Sequence, residues 1–189
     1  MISIRYNTFE TNSSSTHNLA VPKKVAHIPS DVRFHFGDFG WQLEDDIDPA
    51  DYLYTAIVTG SSEIRNKYLP KLKEVMERNN IKAKYADYEV SSYKCEDETM
   101  YYYVDSNYGY VDHNYELEPF LEWLFEDDDR VLRFISDGLV FTGNDNDDES
   151  SFFINRNKKV LYDWTISKNR TNPYYMKNCD DYDWFYKGN

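Results

Sequence analysis

The residue types best suited to chemistry lie close together near the N-terminus, in the segment TFETNSSSTHN at residues 8–18. His17 titrates near neutral pH and is a candidate general acid or base. Arg5 is a permanent cation that would stabilise charge on a phosphate, and Glu10 would serve as a second acid or base or would orient His17. Backbone N–H groups of such a loop form a nest for an anion. The predicted binding residues are Asn12, Ser13, Ser14, Ser15 and Thr16.

This set of residues fits two kinds of phosphate chemistry. In the first, His17 removes the proton from an attacking hydroxyl, such as an RNA 2′-OH, and no metal is needed. In the second, the same loop binds a phosphorylated ligand and leaves it unchanged. A structural interpretation competes with both, because Ser, Thr and Asn favour turns in which their side chains bond to nearby backbone. No Ser-His-Asp triad follows, since the closeness of Ser15 and His17 along the chain does not establish a hydrogen bond.

The same stretch carries a resemblance to a known group of proteins. MISIRYNTFETNSSSTHNLAV resembles a recurrent N-terminal signature, roughly R-x-N-T-F-E-T-N-S-S-S-T-H, of small proteins from phages and mobile elements of Firmicutes and related bacteria. The match covers Arg5 and the run from Asn7 to His17. Small acidic proteins of this kind include inhibitors of CRISPR–Cas systems, among them a type that acts by cutting guide RNA. The resemblance therefore implies counter-defence, in the manner of a type II anti-CRISPR protein, and a functional N-terminal segment.

A second candidate site follows a predicted buried strand, in FTGNDNDDESS at residues 141–151. Asp145, Asp147 and Glu149 alternate there with other oxygen-bearing side chains, the ligand type that Mg²⁺ and Ca²⁺ prefer. The EF-hand pattern, a D-x-[DN]-x-[DN]-G run with a later glutamate, is absent from the segment. Loops rich in Asn and Asp are also ordinary turns, and this interpretation is favoured. We therefore expect no cofactor, with these three residues as the place where Mg²⁺ or Ca²⁺ would bind.

The chain carries a formal charge of −13, and the acidity lies in its middle. Residues 95–149 hold seventeen acidic side chains against two basic ones, giving −15, whereas residues 1–40 sum to +1. A polyanion would therefore be repelled by the middle of the chain but not by its N-terminal segment. The acids of a helical region at 116–136 suit imitation of nucleic-acid phosphates in a basic groove. The competing interpretation is a solvated helix face that aids solubility.

Tyrosine is frequent, with 18 residues, and it clusters in MYYYVDSNYGY at 100–110 and NPYYMKNCDDYDWFY at 172–186. Aromatic faces can stack on nucleobases. No Lys or Arg accompanies the first cluster, so we expect core packing or contact with a partner there rather than nucleic-acid binding.

Hydrophobic periodicity predicts an α+β fold, because helices and strands do not alternate in a βαβ rhythm. Strands are predicted at 2–6, 17–21, 31–36, 83–90, 100–104 and 139–143, with a hairpin at 152–164 and a loop at 8–16. Helices are predicted at 49–60, 63–80, 116–125 and 127–138. Pro70 predicts a kink, or two short helices, within the second of these.

We expect a single domain spanning 1–189, with a mixed or antiparallel sheet, helices packed mainly on one face and an acidic helical segment near 116–137. No run of 18 apolar residues predicts a membrane span, and MISIRYN lacks the pattern of a secretory signal. Cys95 and Cys179 have no metal-binding or redox spacing and are predicted to be reduced thiols. These features predict a cytoplasmic protein without a membrane partner, and the resemblance implies that the cytoplasm is that of a host bacterium.

The leading hypothesis is a counter-defence protein whose partner is a bacterial defence effector, such as a Cas nuclease or its guide RNA. In its bolder version the N-terminal loop is a metal-independent ribonuclease that cleaves guide RNA, or an enzyme that processes a nucleotide. One alternative is a non-catalytic acidic mimic that blocks the basic groove of a nuclease. Another is a sponge that binds a phosphorylated ligand through the same loop.

Overall fold

The computed structural model describes residues 15–40, 42, 44, 47–95, 98–112, 114–144, 152–154, 160–163 and 182–187 of the 189-residue chain. The helices in this part of the chain are α1 (Pro49–Val58), α2 (Ser62–Arg78), α3 (Glu118–Leu124) and α4 (Asp128–Asp137), with short 3-10 turns at Ser106–Tyr108 and Asn114–Leu117. The strands are β1 (Ser15–Pro22), β2 (Asp31–Phe34), β3 (Asp38–Phe39), β4 (Lys82–Tyr85), β5 (Val90–Lys94), β6 (Met100–Val104), β7 (Tyr110–Val111), β8 (Leu139–Asn144), β9 (Phe152–Ile154), β10 (Val160–Asp163) and β11 (Tyr182–Lys187).

The largest sheet of the described residues has three antiparallel strands in the order β11–β1–β8. Its central strand is β1, in which Leu19 lies opposite Val140 on one side and Phe185 on the other. The strand predicted at 17–21 is confirmed, but it begins at Ser15. Ser15 and Thr16 therefore belong to the sheet, and their prediction as loop residues was wrong. The strand predicted at 2–6 lies outside the described residues.

The α+β prediction is confirmed, although the described strands divide into five small sheets. Besides the central sheet there are parallel pairs β2–β4 and β3–β7 and antiparallel pairs β5–β6 and β9–β10. Several strands are too short to extend a larger sheet, since β3 and β7 have two residues each. The predicted hairpin at 152–164 is present as β9 and β10, and its turn lies outside the described residues.

Helix α1 forms as its sequence signals predict. The Asp48 carboxylate caps its N-terminus by accepting from the backbone N–H of Ala50 at 2.8 Å, and Pro49 occupies the first turn. The residues from Tyr52 to Val58 are all buried, so this helix lies in the middle of the core. It contacts α2 and α4 as well as β2, β7 and β8.

Helix α2 is continuous through Pro70, so the predicted division into two short helices was wrong. Pro70 and Asn66, four residues earlier, are both exposed. The carbonyl that loses its intrahelical partner at the proline therefore faces water, which can hydrate it. The Ser61 hydroxyl caps the helix by accepting from the Ile64 N–H at 3.2 Å.

Helices α3 and α4 confirm the predicted helical segment near 116–137, although α3 is shorter than predicted because a 3-10 turn precedes it. The Asp127 carboxylate caps α4 by accepting from the Asp129 N–H at 2.9 Å. Helix α4 packs against β1. In addition, Arg133 donates to the Pro22 carbonyl at 2.6 Å, which ties the helix to the end of that strand.

Candidate functional site

His17, the predicted general base, lies in the core. It occupies the central strand β1, its side chain has no exposed surface, and its Nδ1 lies 2.7 Å from the Tyr52 hydroxyl of α1. Burial raises the pKa of Tyr52 well above its ordinary value. The phenol therefore stays protonated at neutral pH and can donate to the imidazole. A His and Tyr joined in this way between a strand and a helix stabilise the packing of the two elements.

The other residues of the predicted N-terminal site are divided between the sheet and the part of the chain that is not described. Ser15 is buried in β1 opposite Asn144, and Thr16 lies opposite Gly143. Arg5, Glu10, Asn12, Ser13 and Ser14 lie outside the described residues. A convergence of Arg5 and Glu10 with His17 therefore stays a prediction.

The predicted cation site at Asp145, Asp147 and Glu149 also lies outside the described residues, just beyond the end of β8. Among the residues that the structure does describe, no group of three His, Cys, Asp or Glu side chains is arranged to hold a metal ion. In the same residues, no helix is long and apolar enough to cross a membrane.

Several carboxylates of the acidic segment 118–137, which contains α3 and α4, form ion pairs within the chain. Asp128 receives two bonds from Arg78 of α2, from Nη2 at 2.8 Å and from Nε at 3.0 Å. Three further carboxylates are paired in Glu118–Lys67, Glu126–Arg130 and Asp129–Arg133. A carboxylate with a basic partner presents less negative potential to a nucleic-acid-binding groove, so these pairs weaken the case for phosphate mimicry by this surface.

The hairpin formed by β5 and β6 carries four exposed tyrosines, three from the first tyrosine cluster in β6 and Tyr93 in β5. Tyr93, Tyr101 and Tyr103 are 42–51% exposed. Tyr93 lies directly opposite Tyr101 and diagonal to Tyr103, so all three project from the same face. The Tyr93 and Tyr101 rings stack with centroids 5.3 Å apart, and the Tyr103 ring meets Tyr93 edge-on at 5.8 Å. We call these three residues the tyrosine triad.

Tyr102, which is 53% exposed, points to the opposite face of the hairpin. This face also carries Val90 and Met100, which are exposed, and Val104, which is buried in the core. The hairpin thus presents aromatic residues on both faces, but only one face has a packed aromatic group.

The base of the hairpin is fixed to the helices by a buried arginine. Arg65 of α2 is 5% exposed, and its Nη2 donates to the Tyr102 carbonyl at 3.3 Å. Its Nη1 donates to the carbonyls of Val58 at 3.1 Å and Gly60 at 3.4 Å. Arg65 therefore joins the end of α1, helix α2 and strand β6. Sequence reasoning missed this role because the residue looks like any charged residue of an amphipathic helix.

A half-open cavity of about 170 Å³ lies elsewhere, between α1, α2 and the chain that follows β4. Its lining includes Tyr54, whose hydroxyl donates to the Ala86 carbonyl at 2.6 Å, and Tyr85, whose hydroxyl has no hydrogen-bond partner among the described residues. Burial raises the pKa of Tyr85 to about 12. The cavity is smaller than the roughly 300 Å³ at which pockets for organic ligands begin, so we assign it no ligand.

Comparisons with known proteins identify no relative. No protein-family model, no curated protein and no solved structure matches the chain.

Proposed function

We propose that this chain is a counter-defence protein of a phage or mobile element that acts by binding a protein of the bacterial defence machinery. The observation that carries the proposal is the exposed tyrosine triad, held on a hairpin whose base is anchored by Arg65. The defence context comes from the likeness of the N-terminal segment to the phage and mobile-element signature.

Exposed, packed tyrosines favour a role in protein binding. A tyrosine ring has a large apolar area, loses little conformational entropy when it is fixed, and keeps a hydroxyl for hydrogen bonding. Tyrosine is accordingly enriched in the cores of protein interfaces, from which Lys and Glu are depleted. The triad has this aromatic composition, and Ser91, which pairs with Tyr103 on the same face of the hairpin, adds no charge to it.

The enzymatic alternative has less support from the geometry. A general base must come within hydrogen-bond reach of the proton that it removes. The enclosed His17 ring, whose Nδ1 bonds Tyr52, would have to leave the core to meet RNA. We therefore propose binding to a protein as the activity, and the test below distinguishes it from cleavage of guide RNA.

The test is a reconstituted cleavage reaction that follows target and guide together. A type II Cas effector loaded with an end-labelled guide RNA is incubated with the pure protein, with and without EDTA, before target DNA is added. We expect loss of DNA cleavage, an intact guide, and co-elution of the protein with the effector on size exclusion. Fragmented guide would establish a nuclease instead. Full DNA cleavage without co-elution would contradict the proposal for this effector class.

Two variants locate the activity within the molecule. Replacing the triad, as Tyr93→Ser with Tyr101→Ser and Tyr103→Ser, should abolish co-elution and inhibition. Tyr102→Ser, which removes an equally exposed tyrosine from the opposite face, is the matched control and should leave both unchanged. Equal losses in the two variants would mean that the hairpin as a whole, rather than the triad, is required.

A further inference from the structure

The charges of the segment that carries the tyrosine triad indicate which kind of partner the triad binds. The segment 87–112, which contains the hairpin, holds seven acidic residues and a single basic one, Lys94. Lys94 lies opposite Met100, on the hairpin face away from the triad, and pairs with Glu98 at 3.4 Å. The hairpin therefore supplies no cation to the triad face, and the exposed Glu89 directly precedes β5.

We infer that the tyrosine triad, carried on this acidic segment, forms a docking surface for an arginine-bearing basic protein surface, of the kind that lines a nucleic-acid-binding groove. A planar guanidinium lies against the face of a tyrosine ring and still donates its N–H groups to carboxylates at the rim. The nearly parallel rings of Tyr93 and Tyr101, inclined by 14°, provide such faces. The inference rests on the proposed function and names the chemistry of its partner.

A nucleic acid is the less suitable occupant of this surface. Bases also stack on tyrosine, but single-strand binding requires a positively charged groove that follows the phosphates. Here the surrounding segment sums to −6, which repels a polyanion and attracts a basic protein. The surface thus combines aromatic rings, on which a guanidinium stacks, with acidic groups, which attract its positive charge.

The test compares the affinity of the protein for two peptides of equal charge, one made of arginine and the other of lysine. Fluorescently labelled nona-arginine and nona-lysine peptides are titrated with the full-length protein at low salt, and a short single-stranded RNA serves as a third probe. A guanidinium lies flat against a ring while its N–H groups stay hydrogen-bonded, which an ammonium cannot do, so we expect nona-arginine to bind about five- to tenfold more tightly than nona-lysine. The RNA should not bind.

Variants separate stacking from attraction by charge alone. With all three triad tyrosines changed to Leu, the two peptides should bind equally, at about the affinity of nona-lysine. The triple change to Phe keeps the aromatic faces and should restore the preference, and Tyr102→Leu should keep it. If the Leu variant fails to fold by circular dichroism, Tyr93→Leu and Tyr101→Leu are measured singly, each with an expected loss of about threefold in preference.

Three results would overturn the inference: no arginine preference in the unaltered protein, an equal loss of preference in Tyr102→Leu, or tighter binding of RNA than of nona-arginine. The peptide assay contains no defence component, so its failure is distinct from that of the proposed function. Arginine preference without effector inhibition would contradict the proposed function alone. Inhibition that persists in a folded triple Leu variant would overturn this inference and the triad as the binding surface, but the counter-defence role would stand.

Discussion

The polar residues of the central strand β1 would suggest exposure, and the aromatic residues of the β5–β6 hairpin would suggest burial. The structure shows the reverse. In β1, the polar residues Ser15 and His17 are buried, and His17 has no exposed surface at all. On the hairpin, the triad tyrosines are nearly half exposed. A strand that looks like a reactive loop thus lies in the core, and a run of aromatic residues that suits a core faces solvent.

Position in the sheets explains this contrast. Strand β1 is paired on both sides, by β8 and β11, and is packed against α4, so little of it can reach solvent. The hairpin is a separate two-stranded sheet, which the Tyr102 carbonyl and the Val104 side chain join to the rest of the protein. Exposure therefore follows the number of neighbouring elements, and hydrophobicity alone is a poor guide for tyrosine, which suits both settings.

The largest effect should come from removing a core tyrosine. Tyr52→Ala deletes a fully buried ring and should lower the free energy of unfolding by about 3–5 kcal/mol. Tyr101→Ala, on the exposed face, should lower it by about 1 kcal/mol or less. Urea denaturation of the two variants measures the difference. Equal destabilisation would contradict the assignment of the two regions to core and surface.

The next largest effect should come from removing the hydrogen bond between His17 and Tyr52 while the aromatic ring of residue 52 is kept. Tyr52→Phe leaves the buried Nδ1 of His17 without the phenol and should lower the free energy of unfolding by about 1–3 kcal/mol. Tyr103→Phe, which deletes an exposed hydroxyl, is the matched control, and we expect it to unfold at the same urea concentration as the unaltered protein. A stable Tyr52→Phe would show that this bond does not hold α1 against β1.

A smaller effect distinguishes two tyrosines beside the same cavity. Tyr54→Phe removes a bond to the Ala86 carbonyl and should destabilise the protein by about 1 kcal/mol. Tyr85→Phe deletes a buried hydroxyl that has no partner among the described residues, so the free energy of unfolding should stay the same or rise by up to about 1 kcal/mol. The opposite ranking of the two variants would contradict this assignment.

Tyr85 also predicts a pH dependence of stability. Its pKa is about 12 in the folded protein against 10.0 for an ordinary tyrosine, so the unfolded chain releases the phenol proton first. Its contribution is present below pH 10 and is lost as the pH rises from 10 towards 12. Tyr85→Phe should therefore reduce the fall in the free energy of unfolding across this interval, measured by urea titration at several pH values. An unchanged slope would assign the alkaline loss to other groups.

The smallest effect tests which acidic surface meets a partner. Glu122→Gln on α3 should leave inhibition and nona-arginine binding unchanged, whereas Glu89→Gln should weaken nona-arginine binding by about twofold, most clearly at low salt. Both side chains are exposed, so we expect no change in fold. A larger loss of inhibition or of nona-arginine binding in Glu122→Gln would indicate that the acidic helices form the interface.

Local signals in the sequence predicted most of the helices and several strands. Asp48 with Pro49, Ser61 and Asp127 mark helix starts because a side-chain oxygen there meets free backbone N–H groups, a short-range interaction that a sequence reveals directly. Strand β11 was not predicted, since Tyr182–Lys187 mixes aromatic and charged residues without clear alternation. The pairing of β1 with β8 and β11 joins distant parts of the chain, so no local pattern could reveal it.

By itself the sequence determined the α+β class, the helix caps and the excess of acid in the middle of the chain, because these depend on residue type and on neighbours a few positions away. Only the tertiary structure decided that His17 faces Tyr52 in the core, that Arg65 anchors the hairpin and that the triad tyrosines face solvent. Each of these depends on contacts between residues far apart in the sequence. The same histidine or tyrosine is a structural or a functional residue according to which elements surround it.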